Sequence, residues 1–232
     1  MLAAALRERV CQANLELAAS GLVFGTFGNV SGADHEAGVL AIKPSGVAYD
    51  ALTPAHIVVV SLETGAVLDG RLRPSSDTPT HLELCRAFKC GGVAHTHAEA
   101  ATSFAQARMA IPCLGTTHAD YFRGDVPVTR PMTGAEIAHE YERQTGLVIL
   151  EAFARSGIDP REVPAVLVAN HGPFTWGATP AAAVETARVL EFVARLAAAT
   201  LRLDPAAAPP SLTLIDAHYL RKHGPTAYYG QN

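Results

Sequence analysis

Three histidines stand where apolar, strand-like runs give way to turns. His95 and His97 are reached through the small and β-branched residues 91–94, and His171 follows a second apolar run at 166–169. Side chains two residues apart on a strand project from the same face, so His95 and His97 could share one metal ion. Three neutral imidazoles leave an open coordination position, which is typical of catalytic rather than structural zinc sites. The pattern predicts a metal centre; the alternative is half-buried histidines with ordinary hydrogen bonds.

Polar residues in three turns could bind an anion. They are Asn29, Lys43, Ser45, Gly46, Ser75 and Ser76. Hydroxyl groups, amide donors and one ammonium group are the partners that a phosphate monoester needs. Serine and glycine are also ordinary turn residues. From spacing alone, turn chemistry is the simpler explanation, and phosphate binding is a hypothesis.

Acidic and aromatic side chains elsewhere are candidates for ligation or proton transfer. Asp77 could act as a fourth metal ligand or as a base, and His81, four residues later, is expected at the surface or beside a ligand. Asp120 and Tyr229 could carry protons, although such residues commonly form turns or pack. The sequence H-E-Y-E-R at 139–143 begins like H-E-x-x-H but ends in arginine, which argues against a zincin protease.

Composition narrows the class of protein. The chain has 232 residues, 49% of them hydrophobic and 17% charged, which suits one globular domain over 1–232. A formal net charge of −4 does not provide the excess of positive charge that is typical of proteins that bind a nucleic acid or an anionic membrane. No run reaches the ~20 apolar residues of a membrane span, and the charged N-terminus does not resemble a signal peptide. The four cysteines form no C-x-x-C pair, so free thiols in the cytoplasm are expected.

Periodicity and turn residues predict interleaved helices and strands without a strict βαβ repeat. Helices are predicted over 2–17, 78–88, 98–108, 133–156, from 179 onwards, and over 212–219. Strands are predicted at 28–31, 39–43, 57–60, 66–68, 91–97 and 166–169. Residues 113–121 are predicted to be a loop, and 204–210 a proline-rich linker.

Eight stretches, taken together and in order, resemble a known family. They are G-N-V-S (28–31), K-P-S-G (43–46), P-S-S-D-T-P-T-H (74–81), H-T-H (95–97), G-T-T-H-A-D-Y (115–121), H-G-P-F-x-W-G (171–177), H-Y-L-R-K-H-G (218–224) and A-Y-Y-G-Q (227–231). Along nearly its whole length, the chain is similar to the class II aldolase/epimerase family. The resemblance implies an α/β fold with three α/β/α layers, a central, mainly antiparallel sheet, and a cyclic homotetramer.

The same resemblance implies roles for the candidate residues. The implied ligands of a divalent metal, with Zn²⁺ favoured and Mn²⁺ or Co²⁺ as alternatives, are Asp77, His95, His97 and His171. The implied phosphate pocket consists of Asn29, Lys43, Ser45, Gly46, Ser75 and Ser76. Asp120 and Tyr229 would form an acid–base pair, with Thr116, Glu142 and His218 nearby. Tyr229 and His218 would come from a neighbouring subunit, so that the tail 211–232 contributes to that subunit's site.

The implied activity is the metal-dependent interconversion of L-ribulose 5-phosphate and D-xylulose 5-phosphate, in the cytoplasm and in arabinose catabolism. C4 of these sugars has no acidic hydrogen, so inversion there would proceed by retro-aldol cleavage and re-addition. An alternative within the family is a sugar-phosphate aldolase of the L-fuculose-1-phosphate type, which has glutamate where this chain has the shorter Asp77. An alternative of another class is a non-catalytic binding domain like the adducin head, against which the three intact histidines argue.

Overall fold

Residues 2–229, the part of the chain that the computed structural model describes, contain eight helices and seven strands; Met1 and 230–232, the end of the predicted tail, lie outside it. The helices are α1 (Ala4–Ala19), α2 (Thr78–Phe88), α3 (Glu99–Ala107), α4 (Thr116–Ala119), α5 (Gly134–Ala138), α6 (Tyr141–Ser156), α7 (Pro180–Leu203) and α8 (Leu212–His223). The strands are β1 (Asn29–Asp34), β2 (Val39–Ile42), β3 (Val58–Ser61), β4 (Val67–Asp69), β5 (Gly92–His95), β6 (Ala165–Leu167) and β7 (Pro173–Gly177). A 3₁₀ turn occupies Tyr49–Ala51.

The strands form one sheet in the order β4-β3-β2-β1-β5-β7-β6, with neighbouring strands antiparallel. The register places Asn29 of β1 opposite His95 of β5, and His95 opposite Phe174 of β7. Consequently, three central strands bring residues that are distant in the sequence to the same end of the sheet.

Helices cover both faces of this sheet, which confirms the expected three-layer α/β/α fold. Leu40 and Ile42 face a core shared with α2 and α6, whereas Val39 and Ala41, on the other face of the same strand, pack with α1. The α7 helix contacts β5 and β7 on that second side. Burying each large aliphatic side chain contributes roughly 1.5–3 kcal/mol, so the alternating apolar pattern holds both layers to the sheet.

The helix predicted over 133–156 is interrupted. Its start is confirmed, because Thr133 and Glu136 form a capping box. The α5 helix ends at Ala138, however, and α6 begins only at Tyr141 after Glu140 adopts a left-handed backbone with φ 53°. This backbone conformation costs a non-glycine residue energy, and the Glu140 carboxylate accepts a hydrogen bond of 3.1 Å from Arg143.

The predicted loop at 113–121 contains the short helix α4, against which the C-terminal helix α8 packs. Ile215 of α8 is buried with Cys113 and Ala119. This contact fixes the position of the C-terminal segment on its own chain. Across residues 2–229, no helix combines the length and apolar character that crossing a membrane requires.

Candidate active site

The three histidines meet at one end of the sheet. His95 is the last residue of β5, and His97 lies two residues beyond the end of that strand. His171 lies in the turn that joins β6 to β7. The His95 ring centroid is 5.0 Å from that of His97 and 4.8 Å from that of His171. One ring nitrogen from each histidine lies within 4.8 Å of the others. The antiparallel pairing of β5 with β7 therefore assembles a cluster that the sequence presents in two pieces.

The cluster fits a divalent cation. His95 Nδ1 lies 2.9 Å from the Pro173 carbonyl oxygen and donates to it, which leaves Nε2 with a lone pair for a metal. The Nε2 atoms of His95 and His97 are 3.2 Å apart. Two nitrogens bound at about 2.05 Å to one tetrahedral ion lie roughly 3.3 Å apart, so the spacing suits shared coordination.

Burial also keeps the imidazoles in the neutral form that binds metals. It lowers the pKa of His95 to about 3, and it lowers the pKa values of His97 and His171 below the ordinary histidine value. The His95 ring stacks on Phe174 with a centroid distance of 4.1 Å and an interplanar angle of 15°. Packing therefore fixes the ring's orientation before any ion binds.

Two glycines allow the backbone to close around these rings. A Cβ atom at Gly172 would lie 2.8 Å from the Thr96 carbonyl oxygen, and one at Gly28 would lie 2.8 Å from that of His95. Gly28 also has φ +78°, a conformation that favours glycine. Close backbone contacts at the site therefore explain why glycine follows His171 and why glycine precedes Asn29.

Asp77 lies beside the cluster at the N-terminal end of α2. Its Oδ2 accepts a hydrogen bond of 2.6 Å from Asn29 Nδ2, and no side-chain cap to the helix is formed within the described residues. Although burial opposes ionisation, the neighbouring His95 and the Asn29 amide hold the pKa of Asp77 below its usual value. Asp77 is not one of the groups within the 4.8 Å cluster, so its role as a fourth ligand stays a prediction.

A cavity of 350 Å³ opens on the histidines and brings the polar turns together. Its lining includes the six predicted phosphate-pocket residues Asn29, Lys43, Ser45, Gly46, Ser75 and Ser76, with Asp77 and the three histidines. The amide of Ser75 donates to the Lys43 carbonyl oxygen at 3.1 Å, which joins two of the turns. One cation, several hydroxyls and the metal-binding groups therefore share one cavity.

Lys43 is buried in that cavity, with 2% of its surface exposed. Its Nζ lies 4.6 Å from the centre of the Tyr49 ring, and within the described residues it forms no ion pair. Desolvation lowers the pKa of this ammonium group below the ordinary lysine value. A buried cation without an acidic partner is suited to an anionic ligand.

The predicted acid–base residues lie elsewhere on the chain. Asp120 follows α4, which starts at Thr116, and His218 Nδ1 lies 3.1 Å from Asp120 Oδ1. Tyr229 lies against α8, where its amide donates to the Arg221 carbonyl oxygen at 3.1 Å. Among residues 2–229, the lining of the histidine cavity contains none of Thr116, Asp120, His218 and Tyr229. One chain thus presents a histidine cavity and, separately, an Asp120 cluster made of these four residues.

Glu142 belongs neither to the lining of the histidine cavity nor to the Asp120 cluster. It lies in the first turn of α6 and faces an adjacent cavity of 640 Å³, which Ser75 and Ser76 also line. The turn at 74–77 therefore separates this cavity from the one that holds the histidines.

Sequence reasoning missed two aromatic residues at the histidines. The Tyr141 hydroxyl lies 3.5 Å from His171 Nδ1, and the Phe27 ring is 5.9 Å from that of His97. The signal for Phe27 was its place directly before the G-N-V-S stretch; Tyr141 had none, because its position depends on the break at Glu140. Of the two positions expected for His81, at the surface or beside a ligand, the surface is wrong: the residue is fully buried, and its Nδ1 lies 2.7 Å from Ser31 Oγ.

Fold and site together define an α/β/α class of protein with a histidine cluster that could hold a divalent metal and a polar cavity beside it, at one end of an antiparallel sheet. Residues 8–198 match the model of the family described as Class II Aldolase and Adducin N-terminal domain. The chain belongs to this family.

Curated relatives and solved structures extend the match. The chain is 49% identical over 227 residues to the L-ribulose-5-phosphate 4-epimerase UlaF of Salmonella paratyphi B, covering 97% of this chain and 98% of that protein. The same values hold for the UlaF of Salmonella typhi. The L-fuculose-1-phosphate aldolase of Thermus thermophilus has a TM-score of 0.68 at 26% identity, covering 89% of this chain and all of that one. An L-fuculose 1-phosphate aldolase structure gives a TM-score of 0.78 at 22% identity, covering 94% and 96%, and so supports the fold.

Proposed function

We propose that the protein is a metal-dependent epimerase that interconverts L-ribulose 5-phosphate and D-xylulose 5-phosphate by inverting C4. The observation that carries this proposal is the 49% identity with named L-ribulose-5-phosphate 4-epimerases along 97% of the chain. The histidine cavity supports it, because it combines metal-binding groups with one lysine and several hydroxyls suited to a phosphate.

His95, His97 and His171 would hold the divalent ion, with Zn²⁺ proposed and Mn²⁺ or Co²⁺ as alternatives, and Asp77 as a further ligand. A bound divalent ion supplies Lewis acidity, which stabilises negative charge on the oxygens of the ketose fragment. The chain's own contribution is orientation, since the Pro173 carbonyl and Phe174 hold the His95 ring in place.

The reaction requires the C3–C4 bond to break and re-form, because C4 carries no acidic hydrogen. One of Asp120 and Tyr229 would accept the C4 hydroxyl proton as the C3–C4 bond breaks to give glycolaldehyde phosphate, and the electron pair of that bond would stay on the other fragment, the enediolate of dihydroxyacetone. After the aldehyde turns, the other group would return a proton on the opposite face. The phosphate pocket would keep the two-carbon fragment in the cavity while it turns.

We further propose that a neighbouring subunit supplies the acid–base pair. Asp120 and Tyr229 lie outside the histidine cavity of their own chain, and His218 contacts Asp120 directly. A second copy that docks its Asp120 cluster over the cavity would complete the site, with α8 and the tail as its docking element. A cyclic homotetramer repeats this head-to-tail contact and closes it.

We expect Lys43→Met to raise KM for the pentulose phosphate by roughly 10- to 100-fold. A hydrogen bond to a charged group contributes about 1.5–3 kcal/mol, and kcat would change less because the phosphate is remote from C4. Steady-state kinetics measure the effect. Lys89→Met, at an exposed lysine after α2, is the matched control. An unchanged KM in Lys43→Met would remove this lysine from the phosphate site.

The alternative within the family is an aldolase that releases its fragments. Asp77 argues against it: a glutamate, one methylene longer, would reach further to act as a base, whereas the shorter carboxylate is held by Asn29 at 2.6 Å beside the histidines. If no group protonates C3 of the ketose fragment after the C3–C4 bond breaks, C3 can add again to the aldehyde. This favours epimerisation over release of the fragments.

The alternative of another class is a non-catalytic domain, since the family model includes adducin. A complete histidine cluster in a polar cavity supports the enzyme instead. A purified chain that binds no zinc or manganese, and that stays inactive after metal is added, would favour the binding domain.

The direct test is incubation of the metal-loaded protein with L-ribulose 5-phosphate. We expect D-xylulose 5-phosphate to form, free glycolaldehyde phosphate to stay at trace level, and a chelator to abolish conversion. Accumulating aldehyde with little pentulose interconversion would contradict the epimerase assignment in favour of an aldolase. A cytoplasmic setting, a role in arabinose catabolism, and the lack of nucleic-acid or membrane partners stay proposals alongside it.

A further inference from the structure

Arg221 holds the Asp120 carboxylate with both arms of its guanidinium group. Nε donates to Oδ1 at 3.0 Å, and Nη2 donates to Oδ2 at 2.8 Å. Both side chains are largely shielded, with 24% and 14% of their surfaces exposed. A two-pronged contact of this kind fixes the plane of the carboxylate as well as its distance.

The same arginine also holds Tyr229. Its Cζ lies 4.7 Å from the centre of the Tyr229 ring. Its backbone carbonyl oxygen accepts hydrogen bonds from the amides of Tyr228 and Tyr229, at 3.0 and 3.1 Å. Two hydrogen bonds to Asp120, and one ring contact and one backbone hydrogen bond to Tyr229, thus let Arg221 connect two residues that are 109 positions apart in the sequence.

We propose that Arg221 is the positioning residue of the acid–base pair: it sets the spacing of Asp120 and Tyr229, and it keeps Asp120 ionised to accept a proton. This inference rests on the proposed function, which gives those two residues their roles. Arg221 touches neither the histidines nor their cavity among the described residues, so it acts through its partners.

Other charges around Asp120 are less well placed for this role. His218 makes one contact to Oδ1 at 3.1 Å, and Lys222 Nζ lies 3.9 Å from Oδ2. His223 Nε2 contacts only the Asp120 backbone oxygen, at 2.9 Å. Lys222 lies over the Tyr229 ring at 4.7 Å and over the neighbouring Tyr121 ring at 4.2 Å. Within residues 2–229, Arg221 alone donates to both carboxylate oxygens.

The charge state of Asp120 follows from these contacts. Burial opposes ionisation, but the hydrogen bonds from Arg221 and His218 hold the pKa of Asp120 below its ordinary value. Removing the guanidinium group would raise that pKa. In the reaction direction in which Asp120 accepts the C4 hydroxyl proton, it must be ionised, so the acid limb of the kcat profile in that direction would then move to higher pH.

The experiment compares Arg221→Met and Arg221→Lys with wild-type enzyme. We expect Arg221→Met to lower kcat by about 10²-fold with a smaller change in KM, and to move the acid limb upward by about one pH unit. Arg221→Lys keeps the positive charge but lacks the two guanidinium donors that bind both carboxylate oxygens, so an intermediate kcat is expected. In an Asp120→Asn background, Arg221→Met should lower kcat by less than it does in the wild-type enzyme, because only the side-chain contact with Tyr229 is still there to lose. Arg155→Met, at an exposed arginine of α6, is the matched control.

A second measurement is independent of activity. Carbon-13 labelling of aspartate allows the Asp120 carboxyl to be titrated, with Asp120→Asn identifying its signal, and its midpoint should rise in Arg221→Met. A lower kcat without movement of either the acid limb or this midpoint would mean a merely structural arginine and would overturn the inference. A wild-type protein without epimerase activity would overturn the proposed function, while the titration would still decide whether Arg221 controls Asp120.

Discussion

Replacing His97 by asparagine is expected to abolish metal binding and reduce turnover about 10³-fold. A bound ion contributes several kcal/mol to stabilising transition-state charge, and ~4 kcal/mol corresponds to that factor. His97 is the most suitable ligand to remove, because it is the most exposed of the three histidines, whereas His95 is buried against Phe174. The fold should therefore survive, with the free energy of unfolding of the metal-free forms changed by less than about 1 kcal/mol. Elemental analysis, steady-state kinetics and denaturant unfolding measure the three quantities.

His139→Asn is the matched control for that substitution. His139 is an exposed histidine outside the cluster, at the end of α5, so its loss should leave metal content and turnover unchanged. If the His97 variant kept both its metal and its turnover, His97 would not belong to the site. Loss of folding in the His97 variant would instead show that its ring serves the structure.

Much of the histidine cavity could be predicted because its signals are local. Alternation along a strand places His95 and His97 on one face, and both strand-like runs end at histidines. The antiparallel pairing of β5 with β7 then brings His171 to the same end of the sheet. The three-layer architecture was expected only from the family resemblance, since apolar periodicity does not fix a strand order such as β2-β1-β5-β7.

The parts that could not be predicted depend on contacts between distant segments. The helix is broken before Tyr141 because Glu140 has a left-handed backbone conformation. Glutamate rarely adopts this conformation, so its presence in the sequence does not predict the break. The contact between Asp120 and Arg221 joins residues 101 positions apart, and only the packing of α8 on α4 creates it. Sequence spacing carries no information on such pairs, because they form only when whole helices dock.

Mixing two inactive variants should restore activity. His97→Asn leaves the Asp120 cluster intact, and Tyr229→Phe leaves the histidine cavity intact. If one copy's cavity works with its neighbour's Asp120 cluster, random co-assembly at equal amounts in a closed ring yields about a quarter of sites with both surfaces native. We therefore expect roughly one quarter of wild-type activity from co-expressed, differently tagged subunits, against almost none from either variant alone.

The informative control pairs variants that damage the same surface. Tyr229→Phe mixed with Asp120→Asn should recover nothing, because every site still contains a damaged Asp120 cluster. Recovery there would mean that Asp120 and Tyr229 reach a site from different copies, contrary to their joint contact with Arg221. If mixed oligomers of the first pair co-purified through both tags and yet stayed inactive, each chain would have to complete its own site. The separation between the histidine cavity and the Asp120 cluster would then have to be closed by movement of α4 and α8 together within one chain.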